Sequence, residues 1–214
     1  MHLTWILLLT ATAGAQPVVE IFLPPVIDRN LSMAFSRARN IVQESYADIG
    51  VKVIWRSVNA APLSCEKKPG RRQIVFNFRN GTVTGRSRDA LAFANPYLQE
   101  GPCVTLLMDR LKDEAERNPV RTGFLLGHVL AHEIGHVLQG IARHSDSGLM
   151  KERWSEREVR EMRTARLRFT AYDGESILEA FQASLSPGIE EGPESGADEC
   201  DVYPPSLSPD ENGK

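Results

Sequence analysis

Between Gly127 and Met150 the chain reads GHVLAHEIGHVLQGIARHSDSGLM, and this stretch narrows the possible folds more than any other. It contains His132-Glu133-Ile134-Gly135-His136 inside an apolar run from Phe124 to Leu138. Such a run predicts a helix buried on most sides. Residues four apart lie on one helix face, about one turn apart. His132 and His136 are therefore expected to direct their imidazoles at one point inside the protein, where polar groups without partners are costly. A metal ion meets that cost, and two neutral imidazoles suit Zn2+. Glu133 would then border the open coordination position, where a carboxylate can take a proton from water.

Gly140 stands where this helix should stop, because glycine takes the left-handed conformation of a helix C-terminus at little cost. The chain then turns back and meets His144. Apart from His2, every histidine of the protein lies between His128 and His144. A catalytic zinc site uses three protein ligands and leaves a position for water, so His144 is the expected third ligand. The alternatives are Asp146 or one of Glu156, Glu158 and Glu161 in the following segment. His128 precedes His132 by one turn but lies two turns, about 12 Å, from His136, and is read as a core or supporting residue. The metal-free reading makes His132 and His136 satisfied core histidines.

On these residues the stretch resembles the metzincin clan of zinc peptidases, whose signature is H-E-x-x-H-x-x-G-x-x-H followed by a methionine turn. His132, Glu133 and His136 match that signature position by position, whereas Gly140 comes one residue late and His144 two. Met150, in Ser147-Gly148-Leu149-Met150, resembles the methionine under the zinc in that clan; core filler is its blander reading. Glu152 stands where some members place a tyrosine. Ala90 to Pro96 loosely resembles the segment before the substrate-facing edge strand.

The resemblance implies an α/β (α+β) zincin-like domain with a twisted mixed sheet, an active-site helix and C-terminal helices. It further implies a zinc metalloendopeptidase acting on protein or peptide substrates, with His132, His136 and His144 on the zinc and Glu133 as general base. An extended substrate is expected to pair with the Val104–Met108 strand or with the segment before it. A secreted protein that binds zinc without catalysis is the alternative, and Glu133 argues against it, since a closed structural site gains nothing from that carboxylate.

With 214 residues, 42% of them hydrophobic, the chain has enough for one sizeable core. Its formal net charge of −3 gives no reason to expect nucleic acid or an anionic membrane as partner. Residues 1–15 read as a signal peptide, with an apolar Leu3–Leu9 stretch and Ala13-Gly14-Ala15 as cleavage site. The apolar stretch is shorter than the roughly 20 residues that span a bilayer. A secreted or periplasmic protein, with no membrane association after signal cleavage, is expected. Nothing marks an oligomer interface, so a monomer is expected. A Cys65–Cys103 bridge fits an oxidising compartment, leaving Cys200 over; three free thiols are the alternative.

The expected catalytic domain spans residues 16–185. Strands are expected at Val18–Leu23, Val51–Trp55, Ile74–Phe78 and Val104–Met108, and an amphipathic helix at Ser32–Ala47. The loop from Ala60 to Arg72 carries Lys67, Lys68, Arg71 and Arg72, and reads as a solvated turn. Asn80-Gly81-Thr82 matches a glycosylation acceptor. Thr122 is expected to cap the histidine-bearing helix. Ser155-Glu156-Arg157-Glu158 forms a capping box opening a helix to about Phe169, with Glu156 and Arg160 spaced to pair. A short helix is expected over Gly174–Leu185. Residues 186–214, rich in Pro, Gly and acidic side chains, are read as a disordered tail.

Overall fold

Strand β1 (Val18–Leu23) buries Val19, Ile21 and Leu23 on one face, the period-two pattern of a strand backed by a core. The computed structural model describes residues 16–26, 28–57, 72–81, 83, 90–95 and 103–183. After β1 come α1 (Arg29–Ala47), β2 (Lys52–Ser57), β3 (Arg72–Arg79), β4 (Ala92–Asn95) and β5 (Cys103–Leu107). Four helices follow: α2 (Met108–Arg117), α3 (Pro119–Gln139), α4 (Glu156–Glu161) and α5 (Ala171–Ala183). The sheet runs in the order β2-β1-β3-β5-β4. All neighbours are parallel except β4, which runs antiparallel to β5. This is the mixed α/β class expected from the sequence.

Parallel neighbours need a crossover, and α1 supplies the one between β1 and β2. Asp28 caps α1, accepting from Leu31 N–H at 2.9 Å, so the helix begins before Ser32. Its buried face includes Phe35, Ala38, Ile41, Val42 and Tyr46, as the spacing requires. Of these, Phe35, Ala38, Val42 and Tyr46 join Ile21, Ile74, Phe76, Val104 and Leu106 of the sheet and the apolar residues of α3 in one core that extends to Ile177.

Helix α3 is buried on nearly every side from Thr122 to Leu138. It lies close against α1 because two glycines face that helix. A methyl group built on Gly127 would stand 2.7 Å from Ile41 Cβ, and one on Gly123 3.1 Å from Arg37 Cβ. Tyr46 completes the junction, donating its hydroxyl to Ala131 O at 2.8 Å. No helix among the described residues is long and apolar enough to cross a membrane.

Several expectations need correction. Asn118, not Thr122, caps α3: it accepts from Arg121 N–H at 3.0 Å, with Pro119 in the first turn, where a missing N–H costs nothing. Thr122 lies inside the helix and donates its hydroxyl back to Asn118 O. Met108 opens α2 instead of ending a strand. Helix α4 begins at the expected capping box but ends at Glu161 rather than near Phe169, and α5 begins at Ala171. Strand β5 has neighbours on both sides, so the Val104–Met108 strand has no free edge for a substrate; β4, just before it, is the edge.

Cys103 is disulfide-bonded, while Cys65 and Cys200 lie outside the described residues. The same is true of residues 1–15 and 186–214, the Lys67, Lys68 and Arg71 loop, and Thr82 of the acceptor motif.

Candidate metal centre

The four-residue spacing on α3 places His132 and His136 on one buried face, with ring centroids 4.6 Å apart. The helix stops at Gly140, whose φ of 67° is the left-handed conformation expected there. The returning loop brings the His144 ring to 5.3 Å from His132 and 4.9 Å from His136. Ligand atoms of the three histidines lie within 4.8 Å of one another.

Backbone carbonyls fix the protons of two of these rings. His132 Nδ1 lies 2.9 Å from Leu149 O, and His136 Nδ1 lies 3.2 Å from Ile141 O. A carbonyl only accepts, so each Nδ1 carries the hydrogen and each Nε2 a bare lone pair. These two Nε2 atoms are 2.9 Å apart. The His144 Nε2 is buried with no hydrogen-bond partner. Burial lowers the pKa of all three groups. That of His132 falls well below the usual 6.5, with the neighbouring His136 adding to the effect. His136 falls to about 4, through burial and then the nearby His144. His144 is lowered mainly by burial. Neutral rings whose bare nitrogens converge out of water are the donor set that Zn2+ takes, so the residues fit that ion.

Glu133 is fully buried and follows His132 on α3. Its Oε2 accepts from Ala94 N–H at 2.7 Å, which ties the edge strand β4 to the histidine cluster. Beneath the site lies Met150, also fully buried. A methyl on Gly135, between the two helix histidines, would come 2.6 Å from Met150 Sδ. The loop that presents Met150 is pinned by Ser145 N–H to Met150 O at 2.8 Å and by Leu149 N–H to Arg168 O at 2.8 Å.

The remaining expected residues fall elsewhere. His128 is a core residue with both ring nitrogens engaged: Nδ1 donates to Phe124 O at 2.8 Å, and Nε2 accepts from Leu167 N–H at 3.1 Å. Asp146 is exposed. Glu156 pairs with Arg160, Glu158 with Lys151, and Glu161 with Arg157. Among the described residues, His132, His136 and His144 are the one group suited to a metal, and no fourth protein ligand joins them.

Two participants were not read from the sequence. Ala94 acts through its backbone N–H, which no side-chain pattern reveals. Asp173, fully buried in the first turn of α5, accepts hydrogen bonds from Arg143 and Ser145, on either side of His144. Its one sequence signal is Thr170-x-x-Asp173, a capping-box spacing.

No protein-family model matches the chain, and no curated protein matches it. Among solved structures, it is similar to archaemetzincin from Methanopyrus kandleri, with 17% identity and a TM-score of 0.43, covering 80% of this chain and 99% of that one. It is also similar to metalloproteinase-II from Bacteroides fragilis, with 17% identity and a TM-score of 0.42, covering 79% of this chain and 55% of that one. Likeness at such a distance assigns no chemistry. The side chains of the site must do so.

Proposed function

We propose that the chain is an exported zinc-dependent metallopeptidase of metzincin-like type, cutting bonds within protein or peptide substrates. One observation carries this reading: three neutral histidines converge, without a fourth protein ligand among the described residues, beside the buried carboxylate of Glu133. A closed structural zinc site would need that fourth ligand and would have no use for Glu133.

In this reading His132, His136 and His144 hold the metal. Zinc bound there supplies a Lewis acid that polarises a peptide carbonyl and acidifies a water. The Ala94 N–H orients the Glu133 carboxylate, which takes the proton of the attacking water and delivers it to the leaving amine. The rigid helix and the Leu149 and Ile141 carbonyls keep the two helix imidazoles aimed, so little reorganisation is needed when the site loads. Strand β4, as the sheet edge beside Glu133, is where an extended peptide would add as a further strand. Export rests on the leader-like residues 1–15.

The test is zinc content and proteolysis of an unstructured protein substrate, measured on the purified chain beside Glu133→Ala and His144→Ala. One zinc per chain, with hydrolysis lost in Glu133→Ala while zinc stays, is the expected result. Zinc bound without hydrolysis of any peptide in a broad library would favour the non-catalytic alternative. Zinc retained at full affinity in His144→Ala would remove His144 from the ligand set.

A further inference from the structure

Of the three converging histidines, two have their rings held and one does not. Backbone carbonyls accept from the Nδ1–H groups of His132 and His136, whereas among the described residues no hydrogen bond reaches the ring of His144. Hydrogen bonds of that kind orient metal-ligating histidines and tighten metal binding. The aim of His144 depends instead on the loop that carries it, and above all on its immediate neighbours.

Both neighbours are tied to one carboxylate on another helix. Asp173 Oδ1 accepts from Ser145 Oγ–H at 2.6 Å and from Arg143 Nη2 at 3.3 Å. Its other oxygen, Oδ2, accepts from Thr170 N–H at 3.1 Å and Thr170 Oγ–H at 2.6 Å, closing the start of α5. Capping α5 thus uses Oδ2 alone, and Oδ1 faces the histidine loop. A fully buried carboxylate is costly unless every donor around it is in place, so the loop cannot drift without leaving that charge short of partners. Arg143 is held a second way, its guanidinium 4.3 Å above the Tyr172 ring. The backbone of Ser145 adds its bond to Met150 O.

We propose that Asp173 is a positioning residue for His144: by gripping Arg143 and Ser145 it aims the third imidazole at the other two and so sets how tightly zinc is held, which presupposes that His144 binds zinc. The carboxylate takes no part in the chemistry. Its effect is preorganisation, lowering the cost of ordering the loop when the metal binds.

The experiment is a double-mutant cycle on the full chain, with zinc affinity read by competition against chelators of graded strength. The proteins are wild type, Asp173→Ala, His144→Ala and the double variant. Asp173→Ala is expected to weaken zinc binding roughly 10- to 100-fold, the usual effect of removing a partner that orients a ligand. With His144 already replaced, the same change should cost no more than about 2-fold, because the residue it aims is gone. Equal weakening in both backgrounds would show a general loosening of the site and overturn the proposal. No weakening in either would overturn it too. If His144→Ala leaves zinc affinity unchanged, the ligand assignment itself fails and takes the positioning role of Asp173 with it. Should Asp173→Ala not fold, Ser145→Ala removes only the 2.6 Å bond on the loop side. It is expected to weaken zinc several-fold, and an unchanged affinity would overturn the proposal.

Discussion

The Nε2 atoms of His132 and His136 lie 2.9 Å apart, and neither has a proton to share, because both rings give their Nδ1 hydrogen to backbone carbonyls. Two lone pairs facing each other out of water repel unless a positive charge lies between them. Metal removal should therefore destabilise the fold as well as silence the site. Zinc supplied at 100 times its Kd should add about 2.7 kcal/mol to unfolding. In a domain of this size that is roughly 5–10 °C in Tm. Scanning calorimetry with zinc and with a chelator measures it, and identical melting curves would contradict a preformed metal site.

Glu133→Gln separates chemistry from architecture. The glutamine carbonyl can still accept the Ala94 N–H that Glu133 Oε2 accepts now, so the link between α3 and β4 survives. What disappears is the group that carries the proton. A fall in kcat of about 10²–10⁴ is expected, the range for a lost general base, with zinc content unchanged. Zinc analysis beside steady-state kinetics decides it: full activity in the variant would remove Glu133 from the mechanism.

The histidine cluster was legible because helix periodicity converts spacing into direction. His132 and His136 share a face, and Gly140 fixes where the helix ends and the chain turns back toward His144. Other features were hidden for physical reasons. Between Asp109 and Arg117 the composition resembles a solvated loop, and α2 is betrayed only by Met108, Leu111 and Ala115 recurring on one buried face. Thr122 looked like a cap because Thr is a good one, but Asn118 followed by Pro119 is the stronger signal. The bonds from His132 to Leu149 O and from Ser145 to Asp173 join residues far apart in sequence, where no local pattern could show them. Strand order was equally out of reach, and with it the fact that β4, not β5, forms the edge.

Gly127 tests how closely α1 and α3 must approach. Alanine there places its methyl 2.7 Å from Ile41 Cβ, a branched atom near the α1 backbone that has little freedom to yield. Overpacking of this kind costs about 1–3 kcal/mol. Urea denaturation of Gly127→Ala should show that loss. Adding Ile41→Ala should recover part of it, because it removes Cδ1 and Cγ2, which stand 2.7 and 3.0 Å from the new methyl, while Cβ stays; losses that simply add would mean the two residues are not in contact.

Protonation of His128 should make the metal-free protein sensitive to mild acid. Burial lowers its pKa from 6.5 to about 4, opposed in part by its bond to Phe124 O and aided by Arg166. Between those two pH values the unfolded chain binds a proton that the folded chain refuses. The stability this group contributes is then complete above pH 6.5, falls as the pH drops toward 4, and is lost below. The gap in pKa corresponds to roughly 3 kcal/mol from this one residue. His136 shifts in the same direction, so the fall in wild type will exceed that share. His128→Gln keeps an acceptor for Leu167 N–H and a donor for Phe124 O but cannot ionise. Urea unfolding of both zinc-free proteins at pH 7.5 and at pH 4.5 isolates the difference. A shallower pH dependence in the variant is the expected outcome, and equal slopes would show that His128 does not resist protonation in the fold.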